Sequence, residues 1–171
     1  MNILITGGAG FIGSRLCEKL FEKGHRITIL DNLSPQIHIG KVSTLYNRIK
    51  HKCSFIRGDV RVIEEWERAL KGQDIVVHFA AETGTGQSMY EVQRYNDVNI
   101  MGTSNLLQIL TNSNHSVKKI ILASSRSIYG EGKYDSGDHG VQYPDSRKES
   151  DMREGKFNPR CKYSSMEMEY L

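Results

Sequence analysis

The sequence predicts an α/β fold, a doubly wound parallel sheet, and three observations carry that expectation. Short apolar runs recur along the chain, segments of helical period separate them, and the runs are apolar throughout rather than alternating. A strand covered by helices on both faces needs that composition, and a regular alternation of strand and helix is the signature of parallel crossover connections.

In order, Ile3-Leu4-Ile5-Thr6 reads as a buried strand closed by Gly7-Gly8. Ile12, Leu16 and Leu20 then lie four apart, with Phe21 beside them and charged residues opposite, and Gly24 ends the helix. Residues 27–30 form a second strand ending at Asp31, which completes a βαβ unit. Residues 41–50 are expected to be a helix, 53–56 a third strand, and 63–70 a helix carrying Trp66. The run 75–81 is a fourth strand, 98–110 a long helix in which Gly102 allows close approach, and 120–123 a fifth strand. The five strands should lie in the order 3-2-1-4-5, leaving the fifth on an open edge. From 131 to 171 the apolar residues are too sparse for any period, so an irregular C-terminal segment follows a domain of residues 1–130. That segment is either a loose tail or an ordered substrate loop.

Charge and composition exclude several classes. The 23 basic and 20 acidic residues leave a net charge of +3, no footprint for nucleic acid. No apolar run is long enough to span a bilayer, and the N-terminus lacks the pattern of a signal peptide. Cys17, Cys53 and Cys161 are scattered and odd in number, which argues against a disulfide framework or a metal site. A soluble, cytoplasmic chain is expected.

The chemistry concentrates at strand ends. Gly7-Gly8-Ala9-Gly10-Phe11-Ile12-Gly13 joins the first strand to the first helix, and it fits glycine fingerprints at 8, 10, 13 and at 7, 10, 13. A diphosphate needs bare backbone there, with N–H groups and the helix N-terminus facing the anion. Asp31 can accept both ribose hydroxyls and would repel a 2′-phosphate, which favours NAD over NADP; the alternative is a turn or capping aspartate. Asp59 either meets an adenine amino group or is an ordinary turn residue. Ala80 and Ala81 leave room for something flat, whereas His78 reads as a satisfied core histidine. Neither Ser124 nor Ser125 sits in a nucleophile elbow.

These residues resemble the extended short-chain dehydrogenase/reductase family, with its Rossmann-type fold, and within it the NAD-dependent nucleotide-sugar epimerases and dehydratases. The likeness runs through the glycine turn, Asp31-Asn32, Gly58-Asp59-Val60, His78-Phe79-Ala80-Ala81, Val98-Asn99, Gly102-Thr103 and Ser124 to Gly130. Residues 82–90 and 129–134 look closest to a dTDP-L-rhamnose 4-epimerase-like branch. The resemblance implies that Gly7, Gly10, Phe11, Ile12, Gly13, Asp31, Asn32, Asp59, Val60, Phe79, Ala80, Ala81, Thr83 and Asn99 hold NAD. It also implies that Ser125 is the catalytic serine, that a nucleotide sugar is the substrate, and that the product serves polysaccharide biosynthesis.

Two departures qualify it. Arg126-Ser127 stands where the family's dehydratases carry an acid pair. The family's Tyr-x-x-x-Lys is missing: Tyr163 is followed four residues later by Glu167, and Tyr143 by Arg147. Arg160 to Ser164 looks like half of the branch's Cys-Pro-x-Cys knuckle, which precedes that tyrosine, so the expectation is a truncated, catalytically incomplete epimerase. The alternative is a non-catalytic NAD-binding sensor or scaffold. The open edge of the fifth strand predicts self-association.

Overall fold

The computed structural model describes residues 1–38 and 44–171, and the chain divides into two compact units, Met1–Ala123 and Ser124–Leu171. The first unit runs β1 (Asn2–Thr6), α1 (Phe11–Glu22), β2 (Arg26–Asp31), α2 (Thr44–Ile49), β3 (Ser54–Arg57), α3 (Ile63–Leu70) and β4 (Ile75–His78). Two short helices follow, α4 (Thr85–Ser88) and α5 (Val92–Asn96). A π turn at Asp97–Met101 leads into α6 (Gly102–Asn112), and β5 (Lys119–Leu122) closes the unit. The sheet is parallel in the order β3-β2-β1-β4-β5, as the sequence predicts, with Thr6 opposite both Leu30 and His78.

Alternate residues of each strand feed two cores. Leu4, Leu30 and Val76 pack with Trp66, Leu70 and Leu106 from α3 and α6, while Ile3, Ile5, Ile27, Ile29 and Val77 pack with Cys17 and Ile49 from α1 and α2. Each such side chain contributes about 1.5–3 kcal/mol of burial. Both faces being covered explains the apolar runs of β1, β2 and β4, whereas β5 is exposed at every position.

Three expectations need correction. The buried stripe of α1 is Gly13, Ser14 and Cys17; Ile12 is 67% exposed and Phe21 is also exposed, while Leu16 and Leu20 pack partly against the core. The reason is that α1 lies close over the glycine turn, where only small side chains fit. The long helix starts at Val92, not 98, because its first turns carry no buried apolar stripe and Val98 is the first buried position. The fourth strand ends at His78; Phe79 N–H still donates to Thr6 O at 3.1 Å, and residues 79–81 lie outside the strand. The helix expected at 41–50 is seen from Thr44, its first three positions lying outside the described residues. Gly102 behaves as read: a Cβ there would stand 2.7 Å from Val60 Cγ2.

The second unit is built differently. A 3-10 turn at Arg126–Tyr129 precedes β6 (Tyr134–Asp135), a 3-10 turn at Gly137–His139, β7 (Val141–Gln142), α7 (Glu149–Arg153) and β8 (Glu169–Tyr170). The three strands form an antiparallel sheet in the order β7-β6-β8. Strands of two residues are too short for any hydrophobic period to register, so 131–171 reads as irregular in the sequence although it contains regular elements.

Candidate functional site

All five strands run the same way, so the loops after Thr6, Asp31, Arg57 and His78 gather on one edge of the first unit's sheet. The chain winds outward from β1 through β2 and β3, then returns to β4 on the other flank, which makes the β1–β4 boundary the switch point where such sheets take ligands.

The glycine turn occupies that boundary. Gly7 has φ +64°, its N–H donates to Leu30 O at 3.0 Å, and a Cβ on it would lie 2.8 Å from the Ala80 backbone nitrogen. A Cβ at Gly8 would meet the Ile29 side chain at 2.7 Å, and one at Gly13 would meet Gly7 O at 2.5 Å. Gly10 differs, since a Cβ there would meet only Gly7 O at 3.2 Å. The protein's own packing therefore demands glycine at 7, 8 and 13 more than at 10, where bare backbone leaves room for an approaching group. Gly7, the only one of the four with a left-handed backbone, makes 7, 10, 13 the spacing of the tight turn, and Gly8 serves packing on β2. Helix α1 starts with no side-chain cap and no acid in its first turn, so the N–H groups of Phe11, Ile12 and Gly13 face the loop edge without a side-chain partner among the described residues.

The two aspartates picked from the sequence have different surroundings. Asp31 ends β2 and is buried; Oδ2 accepts from Ala9 N–H at 3.0 Å and Oδ1 from Leu33 N–H at 2.8 Å, with His38 Nε2 at 3.9 Å from Oδ1. A carboxylate oxygen can accept two bonds, so each oxygen keeps capacity for a hydroxyl. Asp59 is fully engaged: Oδ1 accepts from Arg61 N–H and Nε, both at 2.9 Å, and Oδ2 from Arg61 Nη2 at 2.8 Å and Asn32 Nδ2 at 3.0 Å. The Arg61 guanidinium holds the Asp59 pKa down to about 2 against burial, which would raise it. An adenine amino group could bind Asp59 only by displacing Asn32 or Arg61. Val60 is buried; its carbonyl accepts from Trp66 Nε1 at 2.8 Å and Asn105 Nδ2 at 3.1 Å.

A hydrogen-bond chain shapes the loop after β4. Phe79 and Ala80 N–H both donate to Thr6 Oγ1, at 3.2 and 3.1 Å, so the Thr6 hydroxyl donates to His78 Nδ1 at 2.6 Å. The ring then carries its proton on Nε2, which donates to Thr103 Oγ1 at 3.1 Å, and Thr103 donates on to Asn99 O at 3.0 Å. Burial pushes the His78 pKa down to about 4, in keeping with a neutral core histidine. Asn99 turns its amide onto Glu82, accepting from the backbone N–H at 2.8 Å and donating to the carbonyl at 3.0 Å. Its role in this arrangement is to fix the loop that carries Ala80, Ala81 and Thr83. Sequence reasoning missed Thr6 and Thr103; a hydroxyl ending an otherwise apolar buried strand was the available signal for the first. It also missed Arg94, which joins Gln36, Glu82 and Glu91 across two of these loops through bonds of 2.8–2.9 Å.

Ser125 belongs to the second unit, where its Oγ accepts from Ser127 N–H at 3.1 Å and caps the 3-10 turn. Lys162 Nζ stands over the Tyr163 ring, 5.1 Å from its centroid. Arg147 is committed to Glu131 and to Phe157 O, and Glu167 accepts from Asn158 Nδ2 at 2.9 Å. Among the described residues, no helix is long and apolar enough to cross a membrane.

The parallel sheet, glycine turn and strand-end acid together define a dinucleotide-binding type of domain. The chain belongs to the NAD dependent epimerase/dehydratase family, whose family model matches residues 3–168. It is 37% identical over 159 residues to a dTDP-L-rhamnose 4-epimerase of Burkholderia thailandensis, covering 92% of this chain and 43% of that protein. A UDP-glucose 4-epimerase of Oryza sativa is 33% identical over 135 residues, 76% of this chain and 36% of its own. In structure the chain is similar to a UDP-glucose-4-epimerase from Stenotrophomonas maltophila with bound NAD and formylated UDP-arabinopyranose, with a TM-score of 0.65, 32% identity, and coverage of 76% of this chain and 38% of that one. A UDP-glucose 4-epimerase from Bifidobacterium longum in complex with NAD+ and UDP has a TM-score of 0.64 and 30% identity, over 86% of this chain and 42% of that one. The chain thus spans about 40% of the length of these relatives.

Proposed function

We propose that this chain is the cofactor-binding portion of an NAD-dependent nucleotide-sugar epimerase. The observation that carries the reading is Asp31, tied through Ala9 N–H to the glycine turn and keeping one acceptor position on each oxygen for a ribose hydroxyl. When bound, the nicotinamide would take up and return a hydride at a sugar carbon. The chain's own part is to bind and orient: Gly10 admits the diphosphate, the first N–H groups of α1 face its charge, and Asp31 selects the unphosphorylated ribose. Phe79, Ala80, Ala81 and Thr83 would lie along the cofactor on a loop fixed by Thr6 and Asn99. Ser125 is assigned to the reacting sugar oxygen on the family likeness alone. The three free cysteines fit a reducing cytoplasm, and the sugar product fits polysaccharide assembly.

Titration with NAD and NADP, followed by melting temperature, tests this. NAD should stabilise the chain and NADP should do so far less. Asp31→Ala should weaken NAD by about tenfold, the loss of roughly one charge-assisted bond, and narrow the gap between the two cofactors. A preference for NADP would overturn the assignment.

The fifth strand supports self-association. Ile120, Ile121 and Leu122 are 39%, 42% and 60% exposed at the sheet edge. Sedimentation should show species larger than the 19.4 kDa chain, and a monodisperse monomer would remove the proposal.

A further inference from the structure

We propose that Cys17 and Cys53 are a reactive thiol pair that closes to an intramolecular disulfide when the protein meets a peroxide. The two are 53 − 17 = 36 residues apart in sequence, and the fold brings them together on the face of the sheet covered by α1 and α2. Cys17 is fully buried on the inner face of α1, and Cys53 is half-buried in the turn before β3. Cys17 lies in the apolar cluster against which Cys53 packs, and Cys53 Sγ donates to Ile49 O at 3.3 Å.

The flanking residues hold this meeting in place. Glu18, next to Cys17, accepts from Lys52 Nζ, next to Cys53, at 3.1 Å and from Arg48 Nη2 at 3.0 Å. The cofactor edge uses neither thiol. Access and acidity set the order of reaction. Only Cys53 has exposed surface, and the neighbouring Cys17 lowers its thiol, whereas Cys53 and burial raise the thiol of Cys17.

The chemistry balances. The Cys53 thiolate attacks a peroxide oxygen, the O–O bond breaks, and a sulfenic acid forms with release of one water. Cys17 then gives up its proton and attacks the Cys53 sulfur, expelling the sulfenic oxygen as a second water. Two thiols and one hydrogen peroxide thus become one disulfide and two waters. The sulfurs must close to about 2.05 Å, and Cys53 can move because it precedes the β3 ladder rather than lying within it. The product would bridge the first helix to the turn that enters the third strand.

The experiment treats the whole chain with excess hydrogen peroxide, blocks remaining thiols by alkylation, and maps peptides by mass spectrometry without reduction. The expected result is a Cys17–Cys53 linked peptide two hydrogens lighter than its parts. Cys53→Ser should leave Cys17 unoxidised, and Cys17→Ala should let Cys53 proceed to sulfinic acid. Recovery of Cys53 as sulfinic acid beside free Cys17 in the unaltered chain would overturn the proposal. So would linkage of either to Cys161, or no reaction at Cys53.

Discussion

Residues 1–123 and 124–171 solve the same problem by different means. In the first unit, β1, β2 and β4 are sandwiched between helices, and two apolar clusters bury both of their faces, while β5 lies exposed at the edge. In the second, strands of two residues and single turns leave only Pro159, Cys161 and Met168 buried among the described side chains. Its order rests on local bonds instead, such as Ser136 N–H to Gly140 O at 3.1 Å and the contacts around Cys161 Sγ, which accepts from Gln142 Nε2 at 3.2 Å. A structure held by burial opens cooperatively, whereas one held by exposed local bonds opens piece by piece. Substitutions should therefore have larger effects in the first unit than in the second, even where the local backbone geometry is the same.

Glycines give the largest contrast. Gly7 and Gly155 both have left-handed backbones, at φ +64° and +74°. A Cβ at Gly7 would lie 2.8 Å from backbone atoms of Phe79 and Ala80, while one at Gly155 meets nothing within 4 Å. Gly7→Ala should cost about 4 kcal/mol, conformational strain plus a backbone clash, and Gly155→Ala about 1 kcal/mol, strain alone. Urea unfolding measures both; equal costs would show that crowding at the glycine turn is not what sets the two units apart.

The next effect sharpens the comparison through pH. His78 has a folded pKa of about 4 against an ordinary value of 6.5, because burial disfavours its charged form. Between those values the unfolded chain binds more protons than the folded one, so stability is intact above pH 6.5 and is lost as the pH falls toward 4. The shift corresponds to about 3 kcal/mol. Trp66, the single tryptophan, lies in the first unit beside His78, with ring centroids 5.3 Å apart, so its fluorescence follows that unit. Unfolding monitored at Trp66 should move to lower urea on acidification, and His78→Gln, less stable throughout, should lose much of that slope. An unchanged slope would mean the histidine is not held neutral.

The same contrast explains what the sequence could show. The sheet order, the helix 63–70 and the close approach at Gly102 were legible because long buried elements impose a period and a covered strand admits only apolar residues. The glycine turn and Asp31 were legible because their residue types are tied to their place at strand ends. The actual partners of Asp59 and Asn99 were not, since Arg61 and Glu82 carry no pattern that marks them as partners. In the second unit, the pairing of Tyr134 with Gln142 and Tyr170 is set by turns and by residues distant in sequence, neither of which leaves a periodic trace.

The smallest effect concerns Asn99 and distinguishes positioning from direct contact. Its amide satisfies both the N–H and the carbonyl of Glu82, at 2.8 and 3.0 Å, from an exposed position. Two exposed bonds contribute little net stability, so Asn99→Ala should cost about 1 kcal/mol. Asn99→Asp keeps the acceptor for the Glu82 N–H and loses the donor to its carbonyl, so it should cost roughly half as much. The telling readout is hydrogen exchange at the Glu82 amide, which should speed up in the alanine variant and stay close to its original rate in the aspartate variant. If Asn99 acts on the cofactor only by fixing this loop, NAD affinity should follow the exchange rate across the three proteins. Weakened NAD binding in the aspartate variant with the Glu82 amide still protected would instead assign Asn99 a direct contact with the dinucleotide.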